Sequence, residues 1–318
     1  MEKATFYPEV ADGPTNGSAY WIHADDGVRL RVAAWQPEAA RKGTVLIFPG
    51  RTEYIEKFGR TATKFSRRGY VSFVIDWRGQ GLADRIADNP ITSHVARFSD
   101  YQKDVAAMVN AAHALDLPKP WYLLGHSLGA CIGLRAALEG LPVNACAFTG
   151  PLWDIHLSPI ERIAAWPLTW TAQAVGKGQI FAPGNKRQEE QCYVLSVGFD
   201  ENRLTNDPEM FQYMVYQAEM LSDQQTGAPS MGWVFEALKE CRVLSKMRSP
   251  DVPCISFCGD RDVVVDIKAV EDRMERWPNG TLELIPNAKH DILSEIPEVR
   301  EDVLTKIGDF FSIRQQNH

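Results

Sequence analysis

Short apolar runs alternating with stretches of helical length set the pattern of this chain. Residues 44–48 (TVLIF), 71–75 (VSFVI), 121–124 (WYLL), 144–149, 253–258 and 281–285 have strand length. The run at 44–48 is apolar nearly throughout, which predicts a strand covered on both faces. Helices are predicted over 53–68, 99–115, 128–139, 231–247, 266–277 and 298–313. Pro118 and Pro120 close the second helix and restart the chain in the next strand. Strand–helix alternation implies a mostly parallel sheet with right-handed crossovers and helices on both faces. Ahead of it, 19–23 and 28–35 read as two strands joined at Asp25-Asp26-Gly27, an Asp-Gly hairpin signal.

The pattern breaks after Pro151. Trp153, Trp166, Trp170, Phe181, Tyr193, Phe199, Phe211, Tyr213 and Tyr216 crowd a region punctuated by Pro159, Pro167, Gly176, Gly178, Pro183-Gly184, Pro208 and Gly227-Ala228-Pro229. No strand pattern occurs there. Three segments follow: a core begun by residues 1–152, a mainly helical cap inserted over the sheet rim at 153–229, and a core completed by 230–318. The aromatics serve the cap's own packing and an apolar surface that must face something.

Composition narrows the chemistry. A formal charge of −7 with no long basic run argues against nucleic acid as a partner. The six cysteines fall mostly on predicted strands and helices, and Cys254-x3-Cys258 without nearby histidines is a poor zinc pattern. Reduced core thiols fit a cytoplasmic compartment. The N-terminus lacks the apolar core of a signal peptide, and no apolar stretch has bilayer-spanning length. Membrane contact is thus expected to be at most peripheral, through the cap at the inner face. Neither a metal nor a cofactor is implied.

Between the strand at 121–124 and the helix at 128–139 stands Gly125-His126-Ser127-Leu128-Gly129, which fits the Gly-x-Ser-x-Gly nucleophile elbow. A strand turning directly into a helix strains the middle residue and pushes its side chain out. Side chains at the flanking positions would make strand and helix collide, so Gly125 and Gly129 are needed. Ser127 then meets the helix N-terminus, whose free N–H groups favour developing negative charge. A serine nucleophile needs a base, and the base an orienting carboxylate. His290 lies on the loop after the last strand, whereas His23, His94, His113 and His156 come before the acidic loop, His126 sits inside the elbow and His318 is terminal. The acid is Asp262, Asp260 or Asp266, any of which could instead cap the nearby helix. One oxyanion donor is expected from the Leu128 N–H, the other from the loop after the strand at 44–48, where Arg51 N–H is placed for it. The Arg51 side chain could meet an anionic substrate group such as a phosphate, or else pair with Glu53 or Glu56.

Together Pro49-Gly50-Arg51-Thr52-Glu53-Tyr54-Ile55-Glu56, Asp76-Trp77-Arg78-Gly79-Gln80-Gly81-Leu82, the elbow, Gly259-Asp260-Arg261-Asp262 and His290-Asp291-Ile292-Leu293-Ser294-Glu295 resemble the serine-hydrolase α/β-hydrolases. Within these they are most like the bacterial lysophospholipases and monoacylglycerol lipases, and Glu201-Asn202-Arg203-Leu204-Thr205-Asn206-Asp207-Pro208 is similar to a lysophospholipase-type segment. The resemblance spans about residues 20–311 and implies an α/β-hydrolase fold. It implies Ser127 as nucleophile, Asp262 as acid, His290 as base, and the Arg51 and Leu128 amides as oxyanion donors. The chain departs from many relatives in carrying Pro49-Gly50 where they have His-Gly, and Ala83 where serine is frequent. Position agrees on the acid: Asp260 follows the turn too closely and Asp266 suits helix capping, while Asp262 has the Gly-x-x-Asp spacing.

The expected activity is carboxylic-ester hydrolysis through an acyl-enzyme, with monoacyl lipids such as lysophospholipids or monoglycerides as substrates. Two rivals remain: another serine enzyme of this fold (thioesterase, amidase or aminopeptidase), and a non-catalytic binding protein. The intact Ser, Asp, His order argues against the second.

Overall fold

The computed structural model describes residues 1–37, 42–184 and 186–314. Its β-branched and aromatic runs form one eight-stranded sheet, in the order β1-β2-β4-β3-β5-β6-β7-β8. The strands are β1 (Gly17–His23), β2 (Arg29–Trp35), β3 (Gly43–Phe48), β4 (Tyr70–Asp76), β5 (Trp121–His126), β6 (Cys146–Thr149), β7 (Cys254–Gly259) and β8 (Gly280–Ile285). β1 and β2 form an antiparallel hairpin, β2 also pairs antiparallel with β4, and the strands from β4 to β8 are parallel. Gly27 takes the hairpin's left-handed position at φ 85°.

The helices are α1 (Pro8–Ala11), α2 (Gly59–Arg67), α3 (Tyr101–Ala114), α4 (Leu128–Leu138), α5 (Pro159–Ala174), α6 (Tyr193–Ser196), α7 (Pro208–Met220), α8 (Met231–Lys246), α9 (Ile267–Glu275) and α10 (Pro297–Ile313). Side chains alternate across the central strands. Leu46 and Phe48 of β3 enter a core shared with α3, α4, α8 and α9, while Val45 and Ile47 enter one shared with α2 and α10. All six cysteines are free and buried.

The helix expected over 53–68 is shorter than its pattern. Residues Ile55–Phe58 form a tighter 3₁₀ turn, and the α-helix begins only at Gly59. Two contacts account for this. The Ile55 N–H is committed to the Asp76 carboxylate at 2.9 Å, and Gly59 packs so closely on the Ala11 carbonyl that a Cβ would stand 2.0 Å from it. Between β6 and β7 lie α5 to α8, with no sheet strand among their described residues. Each long helix there has an explicit start: a Ser158–Glu161 capping box for α5, Asp207 for α7 and Ser230 for α8.

The elbow glycines are required for different reasons. A Cβ on Gly129 would lie 1.9 Å from the Phe48 carbonyl oxygen, which is rigid backbone, whereas one on Gly125 would meet Ala130 Cα at 2.9 Å. Gly129→Ala should therefore cost about 3 kcal/mol or more, and Gly125→Ala about 1–2 kcal/mol. Urea denaturation of both variants checks the order; equal stabilities would contradict the close approach of α4 to β3.

Candidate active site

Ser127 joins β5 to α4 with φ 51° and ψ −114°, a conformation that only surrounding contacts can hold. Its N–H donates to the Thr149 carbonyl on β6 at 3.0 Å, and its carbonyl accepts from the Ala130 and Leu152 N–H groups at 3.0 and 3.1 Å. The strained residue is thus clamped by β6, by its own helix and by the chain leaving β6. His126 is held beside it, its Nδ1 3.0 Å from both the carbonyl and the hydroxyl of Thr149. It is not within reach of the serine hydroxyl.

The loops after β7 and β8 complete a connected row. Asp262 accepts the Val264 and Val265 N–H groups on Oδ1, at 2.7 and 3.1 Å, which fixes its carboxylate. Its Oδ2 stands 2.7 Å from His290 Nδ1, and His290 Nε2 stands 2.9 Å from Ser127 Oγ. With Nδ1 donating to the carboxylate, Nε2 is the free base facing the hydroxyl. Burial alone would lower the His290 pKa, but the charge and hydrogen bond of Asp262, helped by Asp291 and Glu53, outweigh it and raise the value above 6.5. Burial raises the Asp262 pKa, and His290 together with the two amides brings it below the usual value. The other two acids are committed elsewhere. Asp260 accepts the Asn287 N–H at 2.7 Å; Asp266 caps α9 at the Lys268 N–H, 3.0 Å, and bonds Arg162 at 2.9 Å.

Neither the Leu128 nor the Arg51 backbone N–H finds an acceptor among the described residues. These are the two amides singled out as oxyanion donors. The loop bearing Arg51 is tightly braced: the Pro49 carbonyl accepts Trp77 Nε1–H at 2.9 Å, Gly50 N–H donates to Glu53, and Thr52 N–H donates to Gln80. That last bond offsets an uncomfortable left-handed threonine at φ 67°. The Arg51 guanidinium pairs with neither Glu53 nor Glu56. It donates to the Gly227 carbonyl at 2.9 Å, Glu56 belongs to Arg31, and Glu53 belongs to Lys57.

A buried group of charges backs the site. Lys57 donates to both Glu53 and Asp291, the latter at 2.6 Å, and His126 Nε2 lies 3.5 Å from Glu53. Glu53, His126 and Asp291 are close enough together to hold a metal ion. The Lys57 ammonium already occupies that position, so the donor set does not suit a second cation. Those two carboxylates raise the Lys57 pKa against its burial, and Lys57 with His126 lowers that of Asp291. Burial lowers the His126 pKa, against the opposing pull of Glu53 and Asp291.

Above Ser127 opens a cavity of about 430 Å³. Its apolar wall comes from Ile155, Val194, Leu204, Met214, Ala218, Val263 and Val264. Of the nine aromatics that crowd residues 153–216, Tyr193 alone lines it. Trp153 belongs to the core, stacked on Trp277; Trp166 packs on Phe235 and Phe199 on Phe211. Packing against other rings, rather than the cavity surface, claims these four, and Trp170 and Tyr216 are exposed. His156, set aside as a base, lines the cavity instead, and His318 lies outside the described residues.

The segment Asn202–Asn206 was not recognisable as part of the site from position alone, yet it holds the histidine loop. The N–H groups of His290 and Asp291 donate to the Arg203 and Leu204 carbonyls at 3.3 and 2.8 Å. Lys289 Nζ bonds the Asn202 and Thr205 carbonyls, and Asn206 bonds Glu295. The one signal for this was the resemblance of residues 201–208 to a lysophospholipase-type segment.

The chain is similar to several known proteins. The family model described as Hydrolase_4, serine aminopeptidase S33, matches residues 39–297. A probable lysophospholipase L2 of Haemophilus influenzae is 27% identical over 281 residues, 88% of this chain and 87% of that one. A monoglyceride lipase of Saccharomyces cerevisiae is 25% identical over 288 residues, 85% of each chain. The crystal structure of a soluble variant of the Saccharomyces cerevisiae monoglyceride lipase with a substrate analog superposes with a TM-score of 0.70 at 21% identity, covering 92% of this chain and 94% of that one.

Three expectations follow from the buried charges. In Asp262→Asn, kcat should fall about 10³- to 10⁴-fold, with Asp260→Asn and Asp266→Asn staying within about tenfold of the parent. Activity that needs neutral His290 should rise with pH through a midpoint above 6.5. Removing the Asp262 charge leaves burial in command, so the midpoint of the residual kcat/KM profile should move down; an unmoved midpoint would count against His290 as the titrating group. Lys57→Met strands two buried carboxylates and should cost about 3–5 kcal/mol in urea denaturation at neutral pH. A loss below about 1 kcal/mol would show that solvent reaches them.

Proposed function

The chain belongs to the Hydrolase_4 family of α/β-hydrolases, the serine hydrolases related to lysophospholipase L2 and the monoglyceride lipases, and from that premise we propose that it hydrolyses carboxylic esters of monoacyl lipids through an acyl-enzyme. The observation that carries this reading is the row Asp262–His290–Ser127, whose histidine and serine line a cavity with an apolar wall.

In this reading Ser127 Oγ attacks the ester carbonyl as its proton passes to His290 Nε2. Asp262 keeps the imidazole in the reactive tautomer and stabilises the imidazolium. The oxyanion of the tetrahedral intermediate takes the free N–H groups of Leu128 and Arg51. His290 then returns the proton to the leaving alcohol, an acyl-Ser127 ester remains, and a water activated by the same nitrogen releases the fatty acid. The apolar wall receives the acyl chain.

The family model's description also names an aminopeptidase, which makes peptide cleavage the second reading. A free peptide N-terminus is cationic and would need a carboxylate in the cavity. The acids that line it, Glu53 and Asp291, are both bonded to Lys57. That favours the ester over the peptide.

Hydrolysis of a matched panel tests the proposal. kcat/KM should rise with acyl length from acetyl to medium chains, since each buried CH₂ contributes up to about 0.8 kcal/mol. Esters should exceed the corresponding amides and aminoacyl anilides. A flat length dependence would remove the lipid reading while sparing ester hydrolysis; faster aminoacyl anilide cleavage would establish the peptidase. Ser127→Ala should abolish fluorophosphonate labelling and lower turnover about 10⁴-fold or more.

A further inference from the structure

Among the described residues the buried guanidinium groups of Arg31, Arg78 and Arg273 each donate to several acceptors, whereas the half-buried Arg51 does not. Arg31 bonds the carboxylates of Glu56 and Asp76, and Arg78 those of Asp104 and Asp26. Arg273 has no carboxylate but donates to the Leu244 and Met247 carbonyls and the Ser249 hydroxyl at the end of α8. Arg51 differs. It lines the cavity over Ser127, and among the described residues no carboxylate lies within ion-pair distance of it. Its side chain has one acceptor, the Gly227 carbonyl, and rests 5.5 Å from the Trp233 ring. A guanidinium carries five N–H donors, so most of them remain to be used.

The charge lining the cavity is unbalanced in the same sense. Its carboxylates, Glu53 and Asp291, are both bonded to Lys57, which leaves Arg51 without an anionic partner among the described residues. Burial pushes the Arg51 pKa down to about 10, so the group stays cationic at neutral pH while lacking part of its hydration. A partly desolvated cation of this kind gains most from an anion that accepts two of its donors at once.

We propose that the Arg51 side chain is a specificity-determining group that receives a phosphate of the substrate head group, so that phosphate-bearing monoacyl glycerol esters are preferred to neutral ones. This rests on the monoacyl-ester reading above and names which of its substrates the site selects. The backbone of Arg51 serves either substrate equally; the guanidinium distinguishes them.

The test compares monooctanoyl glycerol phosphate with monooctanoyl glycerol, both kept monomeric, as substrates of the full chain. Arg51→Gln keeps a donor for the Gly227 carbonyl while removing the charge, and Arg51→Lys keeps the charge without the fork. The quantity read is the ratio of kcat/KM for the two substrates, which cancels any change in the shared oxyanion site. The parent should prefer the phosphate ester; the ratio should fall about tenfold or more in Arg51→Gln, mainly through KM, and recover in part in Arg51→Lys. An unchanged ratio in Arg51→Gln overturns the proposal and leaves the side chain as a brace for the loop. A second measurement does not depend on lipid turnover: glycerol phosphate should slow fluorophosphonate labelling of Ser127 in the parent more than in Arg51→Gln. If neither octanoyl ester is hydrolysed but this difference persists, the substrate reading fails and the phosphate site stands. No slowing in either protein overturns the site, and slowing by inorganic phosphate as strong as by glycerol phosphate overturns its assignment to a head group.

Discussion

The close approach of the first turn of α4 to the end of β3 is the constraint on which the site depends. Backbone lies against backbone there, with Gly129 facing the Phe48 carbonyl, and no side chain fits between them. That contact brings the free amide of Leu128 beside the loop that leaves β3, so two donors far apart in sequence share one small volume. It also forces Ser127 into its strained turn. The strain persists because the bonds to Thr149, Leu152 and Ala130 over-determine the residue. A flexible loop could not hold a hydroxyl 2.9 Å from an imidazole in the absence of substrate at so little entropic cost on binding.

Charge is distributed around this contact according to a simple physical rule. Behind Ser127 and His290 every buried carboxylate among the described residues meets a cation or several N–H groups, because an isolated ion there would be costly. Asp76 shows the economy of the arrangement: it accepts from Arg31, from the Ile55 N–H and from the Leu82 N–H, so one side chain joins the two rim loops and the edge hairpin. Lys57 does the same for the loops after β3 and β8. Toward the cavity the rule is relaxed, and Arg51 has no anionic partner among the described residues.

Much of this was legible in the chain because it depends on short-range rules. Gly125, Ser127 and Gly129 declare themselves by spacing, since strand, turn and helix must follow one another within a few residues. Strands such as 44–48 were visible because burial on both faces demands unbroken apolarity. Asp262 could be separated from Asp260 and Asp266 by its distance from the turn and from the helix start. What could not be read depends on pairings between remote segments. Lys57 falls inside the helix predicted over 53–68, and nothing nearby in sequence points to Asp291. The aromatics of residues 153–216 were ambiguous for another reason: a ring that packs against other side chains and a ring that lines a cavity have the same local pattern, and here Trp166, Phe199 and Phe211 do the former while Tyr193 does the latter. The helix at 53–68 was overextended because the capture of the Ile55 N–H by Asp76 is invisible to periodicity.

The hydrogen bonds from the loop of His290 to the Arg203 and Leu204 carbonyls bear on how such a protein can diversify. An inserted segment is usually pictured as exchangeable, a module that sets substrate range while the chemistry stays with the scaffold. Here a segment that lines the cavity is also the mould in which the loop of His290 is cast. Grafting a foreign segment between β6 and β7 would import a new cavity wall and, with it, a new position for the imidazole. Drift in residues 202–206 and drift in residues 287–295 are therefore not independent events. Changes in what this scaffold accepts should accumulate as matched pairs across the two stretches, and recombination between distant lineages should succeed only when both are inherited together.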